Sequence, residues 1–216
     1  MSLRILVVDD HAVVRRGVRS LLESHEGWEV CGEATTGREA VEQSRQLRPD
    51  VVVMDLSLPE LNGLDATRQI LKDAPGTEVL VLTMHRSEEL ARDVLRAGAR
   101  GYVMKSDADE NLITAVDTLR QHKPFLTSTV TGLVLDEFVR REDSAQADRP
   151  SVGVTSRERE IIQLVAEGRS NKEAASTLGI SVKTIEAHRA NIMRKLHLRT
   201  VSDLVRYAIR NKIVQP

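Results

Sequence analysis

The chain has 216 residues with 31 basic and 32 acidic side chains, which gives room for one large domain or two modest ones. Its single cysteine, Cys31, excludes an intramolecular disulfide framework and is typical of a reducing compartment. No apolar run approaches the roughly 20 residues of a membrane span and no long apolar signal region opens the chain, so we expect a cytoplasmic protein without a membrane partner.

Charge is distributed unevenly along the chain. Residues 1–120 carry 15 basic and 21 acidic side chains, whereas residues 151–216 carry 12 basic and 6 acidic ones. A basic segment is typical of a unit that binds a polyanion, and an acidic one suits a unit that handles a metal or a phosphate. The asymmetry therefore predicts two domains with different partners.

Apolar patterns in the first 120 residues predict five strands alternating with five helices. The strands are predicted at 3–8, 29–34, 51–54, 79–82 and 101–104, and the helices at 12–22, 38–47, 63–72, 88–97 and 109–119. Thr36 with Glu39 predicts a capping box for the second helix, and Ser106 with Asp109 a cap for the fifth. Gly98 predicts a left-handed stop to the fourth helix. Such alternation predicts an α/β fold with a doubly wound, five-stranded parallel sheet.

Polar side chains end four of these strands. They are Asp9 and Asp10 at the first strand, Asp55 at the third, Thr83 at the fourth and Lys105 at the fifth. The carboxyl ends of parallel strands meet at one edge of the sheet, so we expect these groups to converge there. Three carboxylates close together are costly unless a cation shares them, and Mg²⁺ prefers such oxygen ligands. A carboxylate nucleophile, a metal and an ammonium at the leaving charge suit in-line phosphoryl transfer to Asp55.

The order of these residues, with Pro59 and Gly63 after Asp55, resembles the receiver domain of bacterial two-component response regulators over residues 3–121. The resemblance implies that a histidine kinase phosphorylates Asp55. It also implies that Mg²⁺ is held by Asp10, Asp55 and the backbone carbonyl of Ser57, with Asp9 helping. Thr83 and Lys105 would bind the phosphoryl oxygens, and Tyr102 matches an aromatic switch that turns inward as Thr83 moves. His11 and His85 flank this site, most simply as surface side chains.

The middle of the chain changes character and separates the predicted domains. We expect a receiver domain at 1–121, a linker region at 122–152 and a DNA-binding domain at 153–216. Within the linker region, apolar spacing predicts a short amphipathic helix from Val130 to Val139, and residues 141–152 have the charged, small-residue composition of a flexible linker.

The last 65 residues predict four short helices. Three of them have capping boxes at their starts, Thr155 with Glu158, Ser170 with Glu173, and Thr200 with Asp203. The turn at 178–181 contains glycine and separates two helices, which is the plan of a helix-turn-helix whose second helix, 182–196, enters the major groove. We expect Ile185, Ile192 and Leu196 to pack inward and the charged and small residues to face outward.

The segments at 155–160, 166–168, 170–173 and 181–196 resemble the LuxR-type helix-turn-helix, and the whole chain resembles the NarL/FixJ class of response regulators. This resemblance implies DNA contacts by Lys183, Thr184, Glu186, Ala187, Arg189 and Ala190, with Lys195 near the phosphate backbone. It implies a phosphorylation-switched transcription factor that dimerises on two half-sites, with RNA polymerase as a further candidate partner. Leu204, Val205, Ala208 and Ile209 form a stripe on the final helix that could serve as a dimer face or as core.

Two other functions compete with this hypothesis. A metal-dependent phosphatase would also use Asp55 as a nucleophile, but such enzymes usually carry a second aspartate two residues later, where this chain has Ser57. We therefore expect a regulator and not an enzyme. A constitutive DNA-binding protein with a non-switching receiver is the second alternative, and it predicts a broken acidic pocket, whereas every pocket residue is present.

Overall fold

The structure, a computed structural model, describes residues 2–84, 88–126 and 154–214, which fold into two compact units. The predicted linker helix Val130 to Val139, the predicted flexible linker and His85 lie outside the described residues. No helix among the described residues is long and apolar enough to cross a membrane.

The first unit alternates strands and helices as the sequence predicts. The elements are β1 (Leu3–Val8), α1 (Ala12–Glu23), β2 (Trp28–Ala34), α2 (Gly37–Leu47), β3 (Val51–Met54), α3 (Gly63–Asp73), β4 (Glu78–Thr83), α4 (Glu88–Arg96), β5 (Gly101–Met104), a 3₁₀ helix (Lys105–Asp107), α5 (Ala108–Arg120) and β6 (Phe125–Leu126). The predicted bounds agree with these to within one or two residues. The parallel α/β fold is confirmed.

All strand pairs are parallel, in the order β2-β1-β3-β4-β5-β6. The prediction of five strands missed β6, which pairs Phe125 with Gly101 and Leu126 with Tyr102. Two residues are too few to show a period, and this strand forms because the chain after α5 returns to the open edge of β5, where the Phe125 amide donates to the Arg100 carbonyl at 2.9 Å.

Apolar side chains from both faces of the sheet form the core of this unit. All four residues of β3 and of β5 are buried, which explains why these strands are continuous apolar runs without alternation. One face packs against α1 and α5 through Val18, Leu22, Leu112 and Leu119. The sheet therefore holds the ends of its central strands rigidly.

Two helix-start predictions need correction. The Thr36 hydroxyl accepts from the Glu39 amide as expected, but the Glu39 carboxylate bonds the amide of Thr35 at 2.7 Å and so does not complete the box with Thr36 itself. At α5 the predicted cap is wrong. A 3₁₀ turn precedes this helix, the Ser106 hydroxyl donates to the Asp107 carboxylate, and the side chain of the N-cap residue Asp107 accepts no hydrogen bond from an amide of α5.

The second unit contains α6 (Ser156–Ala166), α7 (Asn171–Leu178), α8 (Val182–Lys195) and α9 (Val201–Arg210). Capping boxes begin α6, α7 and α9 at the three predicted positions. Gly179 ends α7 in the left-handed conformation with φ of 63°, so the turn before α8 is tight. The apolar core includes Ile161, Leu178, Ile185 and Leu204. This packing presents α8 as the second helix of a helix-turn-helix.

Candidate functional site

Four adjacent strands bring polar groups together at one edge of the first unit. Asp9 and Asp55 directly follow β1 and β3, Thr83 is the last residue of β4, and Lys105 directly follows β5. Because these strands are neighbours in the order β1-β3-β4-β5, the groups lie side by side. The convergence predicted from the sequence is therefore present.

Lys105 joins the two buried carboxylates. Its Nζ lies 2.7 Å from Asp9 Oδ2 and 3.0 Å from Asp55 Oδ2, and the three side chains are 8%, 4% and 3% exposed respectively. The other oxygen of each carboxylate is fixed by the backbone: Asp9 Oδ1 accepts from the His11 amide and Asp55 Oδ1 from the Leu56 amide, both at 2.8 Å. Each carboxylate therefore presents one oxygen to the pocket.

The two buried carboxylates, Asp9 and Asp55, carry more negative charge than the Lys105 ammonium alone can neutralise. Burial raises the pKa of Asp55, the positive charge of Lys105 works against that rise, and the negative charge of Asp9 adds to it. Burial also acts to lower the pKa of Lys105, but its hydrogen bond to Asp9 and the charge of Asp55 more than offset that effect, and the pKa lies above its ordinary value. Lys105 is thus cationic at neutral pH, and one further positive charge would suit the pocket.

Asp10 and His11 form the outer rim of the pocket. Both are exposed, and His11 Nδ1 lies 2.7 Å from Asp10 Oδ1. Ligand atoms of Asp9, Asp10, His11 and Asp55 all lie within 4.8 Å of one another, close enough to share one ion. Three carboxylates offer the hard oxygen atoms that Mg²⁺ prefers, so the residues present fit that metal. The sequence placed His11 at this edge without assigning it to the cluster.

Of the remaining predicted residues of this site, Thr83 ends β4, Tyr102 lies within β5 and Ser57 follows Asp55 by two residues. Thr83 is fully buried and Ser57 is half-buried. Tyr102 is buried at 2% exposure, and this burial raises the pKa of its hydroxyl. Tyr102 on β5 pairs with Val81 on β4, and Thr83 pairs with Met104. Tyr102 therefore lies two residues before the level of Thr83 in the sheet. An inward aromatic side chain is thus the conformation of this structure.

Gly63 permits the loop after Asp55 to fold tightly. Its amide donates to the Leu56 carbonyl at 3.0 Å, and a Cβ atom placed on it would lie 1.9 Å from the Asp55 carbonyl oxygen. Only a residue without a side chain allows α3 to begin this close to the end of β3. The sequence showed a glycine here but not the atom that requires it.

The second unit presents α8 with the expected sidedness. Ile185 and Ile192 are buried, whereas Leu196 is half-buried and so only partly inward. On the outer side, exposed residues are Lys183, Thr184, Glu186, Ala187, Ala190 and Arg194, with Arg189 half-buried. Small residues between charged ones allow a helix to approach base edges closely.

Three of the predicted DNA contacts, Arg189, Glu186 and Lys195, also have partners on other helices of the unit. The Arg189 guanidinium donates to the side-chain carbonyl of Asn171 on α7, whose amide group lies 3.5 Å from Glu186 Oε1. Lys195 Nζ lies 2.7 Å from Glu158 Oε2, the capping carboxylate of α6. Residue spacing within α8 cannot reveal these bonds because the partners come from other helices.

Sequence comparisons identify both units. Residues 5–117 match the response regulator receiver domain family, and residues 153–208 match the bacterial regulatory proteins of the luxR family. The chain is a two-component response regulator. Its receiver unit and its LuxR-type DNA-binding unit together make it a regulator of transcription, as the sequence predicted.

Known relatives match this chain over almost its whole length. This response regulator is 41% identical over 215 residues to the oxygen regulatory protein NreC of Staphylococcus carnosus, in an alignment covering 98% of this chain and 99% of that protein. The NreC of a Staphylococcus epidermidis strain is 40% identical over 217 residues, covering 99% and 100% of the two chains.

Solved structures with the same fold include two complexes with DNA. A LuxR-family response regulator from Aurantimonas sp. SI85-9A1 has a TM-score of 0.60 at 36% identity, covering 64% of this chain and 99% of that one. A complex of RcsB with DNA has a TM-score of 0.59 at 27% identity, covering 96% and 98%. A structure of two RcsB dimers bound to two parallel DNAs has a TM-score of 0.58 at 27% identity, with the same coverage.

Proposed function

We propose that this response regulator is a phosphorylation-switched transcription factor whose phosphoacceptor is Asp55. The observation that carries the proposal is the buried carboxylate of Asp55 at ion-pair distance from Lys105, beside a second carboxylate. A cognate histidine kinase is the donor: an Asp55 oxygen bonds to phosphorus as the phosphorus–nitrogen bond of the phosphohistidine breaks, and the electron pair returns to the imidazole.

The pocket residues divide the work of holding the transferred group. Asp9, Asp10, Asp55 and the backbone carbonyl of Ser57 would hold Mg²⁺, which would supply positive charge to the phosphoryl oxygens. Lys105 contributes a compact ammonium that meets a phosphoryl oxygen once Asp55 is modified. Its pKa, raised by the two carboxylates, keeps it charged for this role.

The switch in this proposal starts at the same pocket. A phosphoryl group adds about 1.5 to 2 negative charges to a site already rich in carboxylates. The Lys105 ammonium and the Thr83 hydroxyl move towards that negative charge. Tyr102, already buried, holds the inward position that this movement requires.

The domain boundaries and the cellular location of this protein belong to the same proposal. We assign a receiver domain to 1–121, a linker region to 122–152 and a DNA-binding domain to 153–216, limits supported by family matches that end at 117 and begin at 153. A kinase-coupled regulator of transcription works in the cytoplasm, where RNA polymerase is a further partner.

DNA contacts are assigned to the exposed side of α8. Thr184, Glu186, Ala187, Arg189 and Ala190 face the major groove, Lys183 contacts a phosphate at its edge, and Lys195 lies towards the phosphate backbone. The hydrogen bond that the Arg189 guanidinium donates to Asn171 orients it before DNA arrives, and such preorganisation lowers the entropic cost of binding. The Lys195 ammonium is already paired with Glu158, and a DNA phosphate must compete with that ion pair. The contribution of Lys195 to DNA affinity is therefore smaller than that of Lys183.

Replacing Lys183 with alanine should weaken binding to all DNA sequences by a similar factor. An exposed ammonium that contacts a phosphate releases about one counterion, so the slope of log affinity against log salt should fall in magnitude by about 1. Fluorescence anisotropy across a salt series measures this slope. Lys72→Ala, the same change at an exposed site on α3, should leave it unaltered. A loss confined to one DNA sequence would assign Lys183 to base recognition instead.

The final helix supplies the dimer face in this proposal. Leu204 and Ala208 belong to the core, but Val201 and Ile209 remain 48% and 36% exposed and lie with Val205 on one side of α9. Residues four apart share a helix face, so these three form a continuous apolar stripe. Homodimerisation on two half-sites would bury it.

Ile209→Asp should weaken cooperative binding to a two-half-site DNA by tenfold or more, because the dimer would have to bury an unpaired carboxylate. Binding to a single half-site serves as the internal control and should change less than twofold, since Ile209 contributes little to the monomer core. Equal losses on both DNAs would show that the substitution damages the fold and that α9 is not the interface.

The proposed function is tested with acetyl phosphate as the donor. Intact-mass spectrometry, light scattering and DNA-binding titrations are made on the full chain with donor and Mg²⁺, with donor and EDTA, and without donor. We expect a mass gain of one phosphoryl group, a dimer and tighter DNA binding with donor and Mg²⁺ together. Unchanged DNA affinity despite the mass gain would favour a constitutive DNA-binding protein with a non-switching receiver.

A further inference from the structure

We propose that Arg15, oriented by Glu33, is a positioning residue for the metal site, and that it sets Mg²⁺ affinity by fixing the turn that carries Asp9 and Asp10. The inference rests on the proposed function, because it takes these carboxylates as Mg²⁺ ligands. Arg15 touches neither the ion nor the phosphoryl group. It acts through the backbone of the β1–α1 turn.

Arg15 connects three segments of the receiver unit. From its place in α1, its Nη1 donates to the backbone carbonyl of Asp9 at 2.8 Å, and its Nε donates to Glu33 Oε2 on β2 at 2.9 Å. Its side chain is only 17% exposed. The planar guanidinium can serve both acceptors at once in fixed directions, which a flexible ammonium cannot do.

The carbonyl that Arg15 holds belongs to the peptide between Asp9 and Asp10. On the other side of Asp9, its amide donates to the Ala34 carbonyl at 3.1 Å, and its Oδ1 accepts from the His11 amide. With the Arg15 bond, both peptide groups of Asp9 and one carboxylate oxygen are fixed. The remaining oxygen, Oδ2, is thereby aimed at the pocket, where it meets Lys105.

Glu33 keeps the Arg15 guanidinium in place. Its two carboxylate oxygens accept separately from Arg15 and Arg19, each at 2.9 Å, and the hydrogen bonds from Arg19 and Arg15 lower its pKa below the ordinary value. Glu33 is therefore ionised at neutral pH. Its own backbone carbonyl accepts from Gln43 on α2, which fixes its position on β2.

Arg19 is the matched control for this inference. It pairs with Glu33 at the same distance as Arg15, but its second partner is Glu23 on its own helix, at 3.0 Å, and not the Asp9 carbonyl. A purely structural role for the arginines, joining α1 to β2, predicts equal effects of removing either one. A positioning role predicts that only Arg15 affects the metal.

The experiment measures Mg²⁺ affinity directly, without a phosphodonor. The full-length wild type, Arg15→Met and Arg19→Met are titrated with MgCl₂, and the backbone amide of Leu56, next to Asp55, is followed by NMR. Thermal unfolding in EDTA reports stability separately. We expect Arg15→Met to weaken Mg²⁺ binding by about 10- to 100-fold, the usual effect of losing a group that orients a metal ligand, and Arg19→Met by less than twofold.

Two further variants keep the test decisive if Arg15→Met does not fold. Arg15→Lys retains the charge but reaches one acceptor at a time, and Glu33→Gln retains Arg15 but weakens its anchor, so both should give intermediate affinities. Phosphorylation by acetyl phosphate should be slow for the Arg15 variants at low Mg²⁺ and recover at saturating Mg²⁺. A misplaced ligand can be compensated by excess metal, whereas a lost nucleophile cannot.

The outcomes separate this inference from the proposed function. If the wild type binds Mg²⁺ and the Arg15 and Arg19 variants bind it equally well, the positioning role is overturned and the proposed function stands. If Mg²⁺ produces no change at Leu56 in the wild type, the metal site itself is wrong and both fall.

Discussion

Asp55→Asn is expected to abolish every response of this regulator to acetyl phosphate. The amide of asparagine has no anionic oxygen to attack phosphorus. Neither the mass gain, the dimer nor the tighter DNA binding should appear. The free-state DNA affinity should remain that of the wild type, since Asp55 belongs to the receiver unit.

The same substitution should make the metal-free protein more stable at neutral pH. Burial raises the pKa of Asp55, so the folded state holds its proton more tightly than the unfolded state does. The contribution of this group to stability is then present below the unfolded-state pKa, about 3.9, and is lost as the pH rises through the folded-state pKa. At pH 7 the ionised carboxylate costs stability, and asparagine removes that cost.

Thermal unfolding in EDTA from pH 3 to pH 7 measures this effect. The melting temperature of Asp55→Asn should exceed that of the wild type at pH 7, and the difference should vanish near pH 3. Asp109→Asn, an exposed aspartate at the start of α5, is the control and should show neither the stability gain nor the loss of phosphorylation. A phosphodonor response in Asp55→Asn would assign the phosphoacceptor to another residue.

Gly63→Ala is expected to destabilise the receiver unit by about 3 kcal/mol, at the upper end of ordinary overpacking. The added Cβ would lie 1.9 Å from the Asp55 carbonyl oxygen and 2.9 Å from Leu56 Cα. Both are backbone atoms, so no side-chain rotation can relieve the contact. The loop must move, and it carries Asp55 and the Ser57 carbonyl with it.

Phosphorylation should therefore fall together with stability in Gly63→Ala. Chemical denaturation gives the free energy of unfolding, and acetyl phosphate labelling gives the rate. Gly17→Ala is the matched control: this glycine lies exposed within α1 with nothing within 4 Å of the added atom. Alanine is the better helix former, so that variant should gain up to about 1 kcal/mol and label normally. Equal behaviour of the two variants would contradict the close approach at Gly63.

Local patterns were sufficient for most of the fold. Continuous apolar runs such as 51–54 predict strands buried on both faces, and the pairs Thr155 with Glu158 and Ser170 with Glu173 predict helix starts, because the interacting atoms are three residues apart. The same approach failed at β6, where the stabilising partner is β5, and at α5, where a 3₁₀ turn replaces the expected cap.

The sequence by itself determined which side chains end the strands of the sheet, and hence that Asp9, Asp55, Thr83 and Lys105 lie at one edge, because parallel strands all end on the same side of a sheet. Only the tertiary structure decided the contacts between segments distant in the chain. The bond from Arg15 to the Asp9 carbonyl, the approach of Gly63 to Asp55 and the bond from Arg189 to Asn171 depend on how helices pack, to within an ångström, and no local pattern encodes such distances.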